Sequence, residues 1–229
     1  WSAADLAKNE PAMRTETLAG AVVYTEYLTD DARLTVANVR SAKAAGAAVI
    51  SYAPVVRITE EQGKVVGAEI KSALEGETLE VTVRAKVIVN AAGPWVDALR
   101  GLEDAKADKR LQLTKGIHVV VPKDRLPIDR TVIIRAPDKR SVFAVPRGDI
   151  VYLGTTDTFY PDTDYWPKID WADVDYLLKA AAQTFSSDQL GAQDVSATWS
   201  GVRPLVAQEG KKPSDISRKD EVWTGPGGI

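Results

Sequence analysis

Cysteine is absent from the 229 residues, and histidine occurs once, as His118. The first absence removes disulfides, thiolate zinc sites, cysteine nucleophiles and CxxC redox chemistry together, and it fits a reducing compartment. The second excludes any multi-histidine metal cage and leaves His118 as the only imidazole that a Ser-His-Asp triad could use. Positive charge is not in excess: 29 Lys and Arg stand against 32 Asp and Glu, a formal net charge of −3. No global basic field therefore exists to hold nucleic acid or an anionic membrane, although local basic patches remain compatible with this balance. Apolar runs such as Val87-Ile88-Val89 fall far short of the roughly 18 residues a transmembrane helix needs, so a soluble chain is expected. The opening Trp1-Ser2-Ala3-Ala4-Asp5 has neither the basic nor the apolar region of a signal peptide. With no initiator Met, and with a stop at Gly227-Gly228-Ile229, the sequence reads as a piece of something longer. G-x-G-x-x-G, Walker A and G-x-S-x-G signatures are all missing.

What is present suits a sizeable core, since 45% of the residues are hydrophobic. Ser2 is placed to cap a short helix ending near Glu10. Val22, Tyr24, Tyr27 and Leu28 read as a strand. Asp30-Asp31 then starts a helix lined by Leu34, Val36 and Val39 and ended by Gly46, and Ala47-Ala48-Val49-Ile50 reads as a buried strand. That order is an α/β signature. Val55–Ile58, Val65–Ile70 and Leu79–Val83 follow as an antiparallel meander, with turns at Gln62-Gly63 and Glu75-Gly76. Val87-Ile88-Val89 has no alternation and reads as a strand buried on both faces, leading to Asn90-Ala91-Ala92-Gly93-Pro94-Trp95, where Pro94 can open a helix. Strands are expected at Leu113–Val121, Thr131–Arg135, Ser141–Pro146, Ile150–Gly154 and Val195–Trp199. A helix behind Asp170 is expected to run to Phe185. The fold expected is α/β in the first hundred residues, then an antiparallel sheet with one long helix.

Several constellations have plain explanations. Gly225-Pro226-Gly227-Gly228 reads as a turn. The carboxylates Asp157, Asp162, Asp164, Asp170, Asp173 and Asp175 lack EF-hand spacing and read as a solvated loop and helix start, so no metal is expected. The six tryptophans are scattered and read mostly as core. His118 alternates against Ile117 and Val119, either as a hydrogen-bonded structural residue or as a base. Lys115, beside Gly116, offers positive charge where the backbone is open. Arg203 stands in an apolar run and needs a partner, either a structural carboxylate or an anionic ligand. Arg218 can supply a second fork or simply be solvated.

Six ordered segments resemble the FAD-dependent glycerol-3-phosphate dehydrogenases and α-glycerophosphate oxidases. They are Asp30–Leu34, Val89–Val96, Lys115–Pro122, Gly154-Thr155-Thr156-Asp157, Ser200-Gly201-Val202-Arg203-Pro204-Leu205 and Pro213–Arg218. The resemblance implies a partial Rossmann-type FAD-binding domain interleaved with an antiparallel-sheet substrate domain. Residues 1–28 and 102–229 would belong to the substrate domain, which ends where the chain returns to the FAD domain, and 29–101 to the FAD domain. It implies oxidation of sn-glycerol 3-phosphate to dihydroxyacetone phosphate by hydride transfer to FAD, with electrons passing on to a quinone or oxygen.

By that resemblance Arg203 is the substrate-side arginine, Arg218 a phosphate ligand and Lys115 a further substrate contact. His118 would orient or deprotonate the hydroxyl. Ala91, Ala92 and Gly93 would let backbone approach the cofactor, and Val55 and Val56 would flank its adenosine end. Thr155 and Thr156 have no assigned contact. The glycine fingerprint and a downstream Gly-Gly-Lys-Thr segment fall outside the sequence, so the isolated chain is expected to bind FAD weakly or not at all. A cytoplasmic protein is expected, with no nucleic-acid partner and with peripheral contact to the inner face of the membrane left open. The rivals are an amino-acid-oxidase-like flavoenzyme and a non-catalytic binding module.

Overall fold

In the computed structural model the residues described are 1–16, 18–186, 190–208, 210–212 and 215–229. The helices are α1 (Ala3–Asn9), α2 (Asp31–Ala44), α3 (Val96–Glu103) and α4 (Trp171–Thr184). The strands are β1 (Val55–Glu61), β2 (Lys64–Lys71), β3 (Glu80–Arg84), β4 (Leu111–Pro122), β5 (Val132–Arg135), β6 (Ser141–Arg147), β7 (Ile150–Gly154), β8 (Thr158–Phe159) and β9 (Ala197–Val206). The fold is α/β, with antiparallel sheets plus helices. Residues Trp1–Val23 and Arg110–Lys219 form one compact unit, and Tyr24–Lys109 with Asp220–Ile229 form another.

The first unit is organised by β4. Its sheet runs β5-β6-β7-β4-β8, with β9 also paired to β4, and every pairing is antiparallel. Strand alternation puts Ile117, Val119 and Val121 on one face, fully buried, and α4 lays Val174, Leu177, Leu178 and Ala181 against the same core. The other face of β4 is left for Gly116 and His118. Helix α1 begins with a reciprocal cap: Ser2 Oγ accepts from the Asp5 amide at 3.2 Å, and the Ser2 amide donates to the Asp5 carboxylate at 3.0 Å. Buried Glu10 accepts from Arg130 at 2.9 Å and from the Asp129 amide at 3.1 Å, and Met13 bridges to Phe185, which ties the N-terminal segment to this unit.

The second unit holds the β1-β2-β3 meander. Its first turn needs left-handed backbone at Gln62 (φ +53°) and Gly63 (φ +73°), which the Gln-Gly pair accommodates. Asp30 caps α2 by accepting from the Arg33 amide at 3.1 Å, and Gly46 (φ +93°) follows its end. Gly225–Ile229 forms a turn in which Glu103 accepts from the Gly227 amide at 2.7 Å, while Gly227 O accepts from the Val65 amide at 2.9 Å.

Three expected strands are absent. Val22–Leu28, Ala47–Ile50 and Val87–Val89 are irregular, and the last two, expected to be buried, are not: Ile50 is 71%, Val87 73% and Val89 79% exposed. Apolar character brought these segments to notice, but a strand also needs a neighbour to complete its ladder, and among the described residues none is paired with them. Helix α2 likewise buries none of its residues. The tryptophans are not core either: Trp1, Trp166, Trp171 and Trp199 are exposed, and Trp95 and Trp223 half-buried, because the large rings sit on edges, loops and open faces. Helix α3, behind the start that Pro94 allows, runs to Glu103, and β8 is a short pairing that no local pattern announces. Among the described residues no helix is long and apolar enough to cross a membrane.

Candidate active site

The face of β4 opposite the core carries the site. Thr114, Gly116 and His118 share that face, and the antiparallel register places Arg203, Gly201 and Trp199 directly across from them on β9. Arg203 and His118 thus belong to one surface of one sheet. The guanidinium of Arg203 lies over the backbone of Gly116, where a Cβ would overlap it. Its Nη2 donates to Thr155 Oγ1 at 2.9 Å, and its Nη1 to Thr156 O at 3.3 Å and Asp157 Oδ1 at 3.4 Å. Thr156 is buried and its hydroxyl accepts from the Ile117 amide at 3.0 Å, which fastens Gly154-Thr155-Thr156-Asp157 to β4. Arg218 approaches the same carboxylate, its Nη2 3.8 Å from Asp157 Oδ2.

Burial pushes the Arg203 guanidinium below its ordinary value, Asp157 works in the opposite direction, and the positive charge of Arg218 adds to the depression. Arginine's ordinary value is so high that the group stays cationic. The alternatives posed by the sequence are therefore both met: Arg203 has a structural carboxylate, yet shares it with a second cation.

His118 is stacked on Trp199 with ring centroids 4.7 Å apart and planes 14° off parallel, and Tyr152 meets it edge-on at 5.9 Å. Gly154, its partner across β7, lies directly beneath the imidazole, and a Cβ there would overlap the ring. The obstructing atoms belong to a side chain that can turn, so Gly154→Ala is expected to leave folding intact while displacing the imidazole. About a tenfold loss of kcat in the holoenzyme is expected, a fraction of the roughly 10²–10⁴-fold that a positioned acid–base group contributes. Steady-state kinetics beside a thermal melt checks this, and unchanged kcat would remove His118 from the chemistry.

Lys115 corrects the expectation of a substrate contact. Its side chain is 6% exposed, and its ammonium reaches Asp173 at 2.8 Å, Asp170 at 3.1 Å and the Lys168 carbonyl at 2.8 Å. Burial opposes the charged form, but the hydrogen bonds to Asp173 and Asp170 outweigh it and hold the ammonium above its ordinary value. Its three donors are used at the start of α4, so it has none to offer an anion. The neighbouring acidic residues are equally occupied: Asp164 accepts from Tyr160 Oη at 2.5 Å and Asp175 pairs with Lys179 at 2.6 Å. Among the described residues no group of three or more His, Asp or Glu is placed to hold a metal.

The residues expected near a cofactor lie in the second unit. Asn90 folds its segment back, donating to Val96 O at 3.0 Å and accepting from the Ala92 amide at 3.3 Å. Gly93 (φ +56°) opens a 3-10 turn over Gly93–Trp95 leading into α3, and a Cβ there would meet nothing within 4 Å. Ala91 is exposed, Val55 pairs with Ile70, and Val56 sits in the register shift before Arg57. Small side chains and open space at residues 91–93 fit the close approach of a flat cofactor. Pro213 and Ser214, part of the segment leading to Arg218, lie outside the described residues.

Asp157, Gly116, Gly154 and Trp199 were not singled out for these roles. Asp157 stood in view within the family-like Gly-Thr-Thr-Asp segment, and the two glycines stood beside Lys115 and Thr155. Their function depends on cross-strand register, which no local pattern gives.

The fold and this face define a class: over residues 1–225 the sequence matches the DAO family of FAD-dependent oxidoreductases, and the chain belongs to that family. Within it, the chain is 42% identical over 228 residues to an aerobic glycerol-3-phosphate dehydrogenase of Bacillus subtilis (strain 168), covering 100% of this chain and 41% of that protein. It is likewise 42% identical over 222 residues to one from Staphylococcus aureus (strain USA300), covering 96% of this chain and 40% of the relative. The crystal structure of the glycerol-3-phosphate dehydrogenase from Bacillus halodurans complexed with FAD superposes with a TM-score of 0.89 at 40% identity, over 99% of this chain and 43% of that one. A glycine oxidase from Bacillus cereus shares the fold, with a TM-score of 0.67 at 20% identity, over 94% of this chain and 56% of its own. The chain spans about two fifths of the length of the curated relatives it matches.

Proposed function

We propose that this chain supplies the substrate-binding sheet, and part of the cofactor-binding region, of a flavoprotein that oxidises sn-glycerol 3-phosphate to dihydroxyacetone phosphate. The observation that carries the reading is the approach of two guanidiniums, Arg203 and Arg218, to the one carboxylate of Asp157, with Arg203 on the sheet that also presents His118. Two cations against one carboxylate leave a local surplus of positive charge, which suits a phosphate dianion held by arginine forks. A substrate carboxylate, as in the amino-acid-oxidase reading, would need only one of them.

FAD, when bound, supplies the hydride acceptor. Ala91, Ala92 and Gly93 would admit it to the backbone, and Val55 and Val56 would flank its adenosine end. Arg203 and Arg218 fix the phosphate and so hold the carbinol carbon at a set distance from the sheet. His118, clamped between Trp199 and the Gly154 backbone, orients the C2 hydroxyl and accepts its proton. Electrons leave to a quinone or to oxygen.

The holoenzyme containing this chain is expected to reduce a dye acceptor when supplied with glycerol 3-phosphate, and not with glycine or proline. A retained flavin spectrum without turnover of glycerol 3-phosphate would overturn the proposal.

A further inference from the structure

Asp157 faces two positive groups, Arg203 and Arg218. Its Oδ1 faces Arg203 at 3.4 Å and its Oδ2 faces Arg218 at 3.8 Å, so one carboxylate spans both. Those separations exceed the 2.7–2.9 Å of a tight charge-assisted hydrogen bond, so the carboxylate attracts both forks without gripping either. The carboxylate itself is held. Its side chain is 11% exposed, its main-chain carbonyl accepts from Arg140 Nη1 at 2.9 Å, and the preceding Thr156 is locked to the Ile117 amide. Arg203, on β9, is fixed on its other side by Thr155 Oγ1. Arg218 is mostly exposed, and Asp157 is an ion-pair partner for it among the described residues.

From this geometry we infer that Asp157 is a positioning residue. It sets the spacing of Arg203 and Arg218 so that the pair receives a phosphate dianion, and it does not itself touch substrate. The inference rests on the phosphate-binding reading above. It assigns a task to the last residue of the Gly-Thr-Thr-Asp segment: an anchored anion that keeps two cations from drifting apart while leaving a net positive charge between them. The opposite effect is the natural expectation from charge alone, because a carboxylate beside an anion site repels its ligand and its removal should tighten binding. Positioning and simple electrostatics therefore predict changes of opposite sign.

The test is Asp157→Asn, Arg218→Ala and the double variant in the flavin-loaded full-length enzyme, read with glycerol 3-phosphate as substrate and inorganic phosphate as competing ligand. Asp157→Asn is expected to raise KM and the phosphate inhibition constant about tenfold while kcat stays within about threefold, the pattern of lost binding rather than lost chemistry. In the Arg218→Ala background the same change is expected to shrink to about twofold, because the group being positioned is gone. A lower KM, an undiminished effect in the Arg218→Ala background, or a fall in kcat at constant KM would each overturn the inference. If Asp157→Asn fails to fold, Asp157→Glu keeps the charge but moves it outward by one methylene, and phosphate inhibition at least about threefold weaker is expected. Unchanged inhibition overturns the inference there. An enzyme that does not oxidise glycerol 3-phosphate would sink the proposed function instead, and phosphorus NMR titration of inorganic phosphate into wild type and Asp157→Asn would still decide the role of Asp157 without turnover.

Discussion

Arg203→Lys is expected to lower kcat/KM for glycerol 3-phosphate about a thousandfold in the holoenzyme, even though the charge is preserved. The guanidinium is a planar fork that spans Thr155 Oγ1, Thr156 O and the Asp157 carboxylate while resting on the Gly116 backbone. An ammonium is a point charge that cannot satisfy this spread and present a second edge to a phosphate. Each hydrogen bond to a charged group is worth about 1.5–3 kcal/mol, and losing two corresponds to roughly 4 kcal/mol, or about three powers of ten in rate. Steady-state kinetics at fixed ionic strength measures it, and a loss below tenfold would show that charge alone is needed. Because the guanidinium also bonds Thr155, Thr156 and Asp157 within the fold, the melting temperature is expected to fall by roughly 3–6 °C while the fold is kept.

Lys115→Met is expected to act on the other face of the argument, on stability. The ammonium ties β4 to the start of α4 through Asp173, Asp170 and the Lys168 carbonyl, and Asp173 is itself buried. Removing the cation leaves that carboxylate without its partner, a change that costs about 3–5 kcal/mol when one member of a buried pair is lost. A fall of about 10 °C in the melting temperature of this unit follows. The pH dependence has a definite sign. The folded state holds Lys115 above its ordinary value, so its contribution is complete below the ordinary lysine range and disappears as pH rises through the folded value. Wild type should lose stability in the alkaline range, and Lys115→Met should show a flatter profile there. Thermal melts from neutral to strongly alkaline pH check both, and parallel profiles would refute the assignment.

Much of the fold is legible in the residues. Ser2 and Asp30 announce helix starts, Gln62-Gly63 a turn, and the Ile117, Val119, Val121 alternation a buried sheet face, because caps, turns and strand periodicity are local physics. Val87–Val89 shows the limit: three apolar residues describe a side-chain preference, whereas a strand is a relation between two backbones. The site divides the same way. Arg203, Arg218 and His118 stand out as residue types with few alternatives, but Lys115, read as an available cation, is consumed by α4. Asp157 becomes meaningful only when β7, β9 and the segment holding Arg218 are brought together. Trp199 shows the reverse error, since a large ring on a strand suggests core, and here it forms one wall around an imidazole on the open face.

The interleaving of the two units has a consequence for how the chain acquires its structure during synthesis. Residues Trp1–Val23 find their partners, such as Arg130 and Phe185, only after the whole of Tyr24–Lys109 has been made. The meander of that intervening stretch needs only neighbours along the chain and can assemble first, whereas the N-terminal segment must wait with an open loop. Collapse of the intervening stretch shortens that loop and lowers the entropy of closing it. The Ala12 carbonyl waits longer than the Glu103 carboxylate, because the Ser186 hydroxyl that binds it comes 174 residues later, against 124 for the Gly227 amide. A ribosome stalled after β8 would therefore carry a folded meander and a β5-β6-β7-β4-β8 sheet whose β4 still lacks β9 and whose core face still lacks α4, which makes the interval before α4 and β9 emerge the one in which chaperone protection matters most.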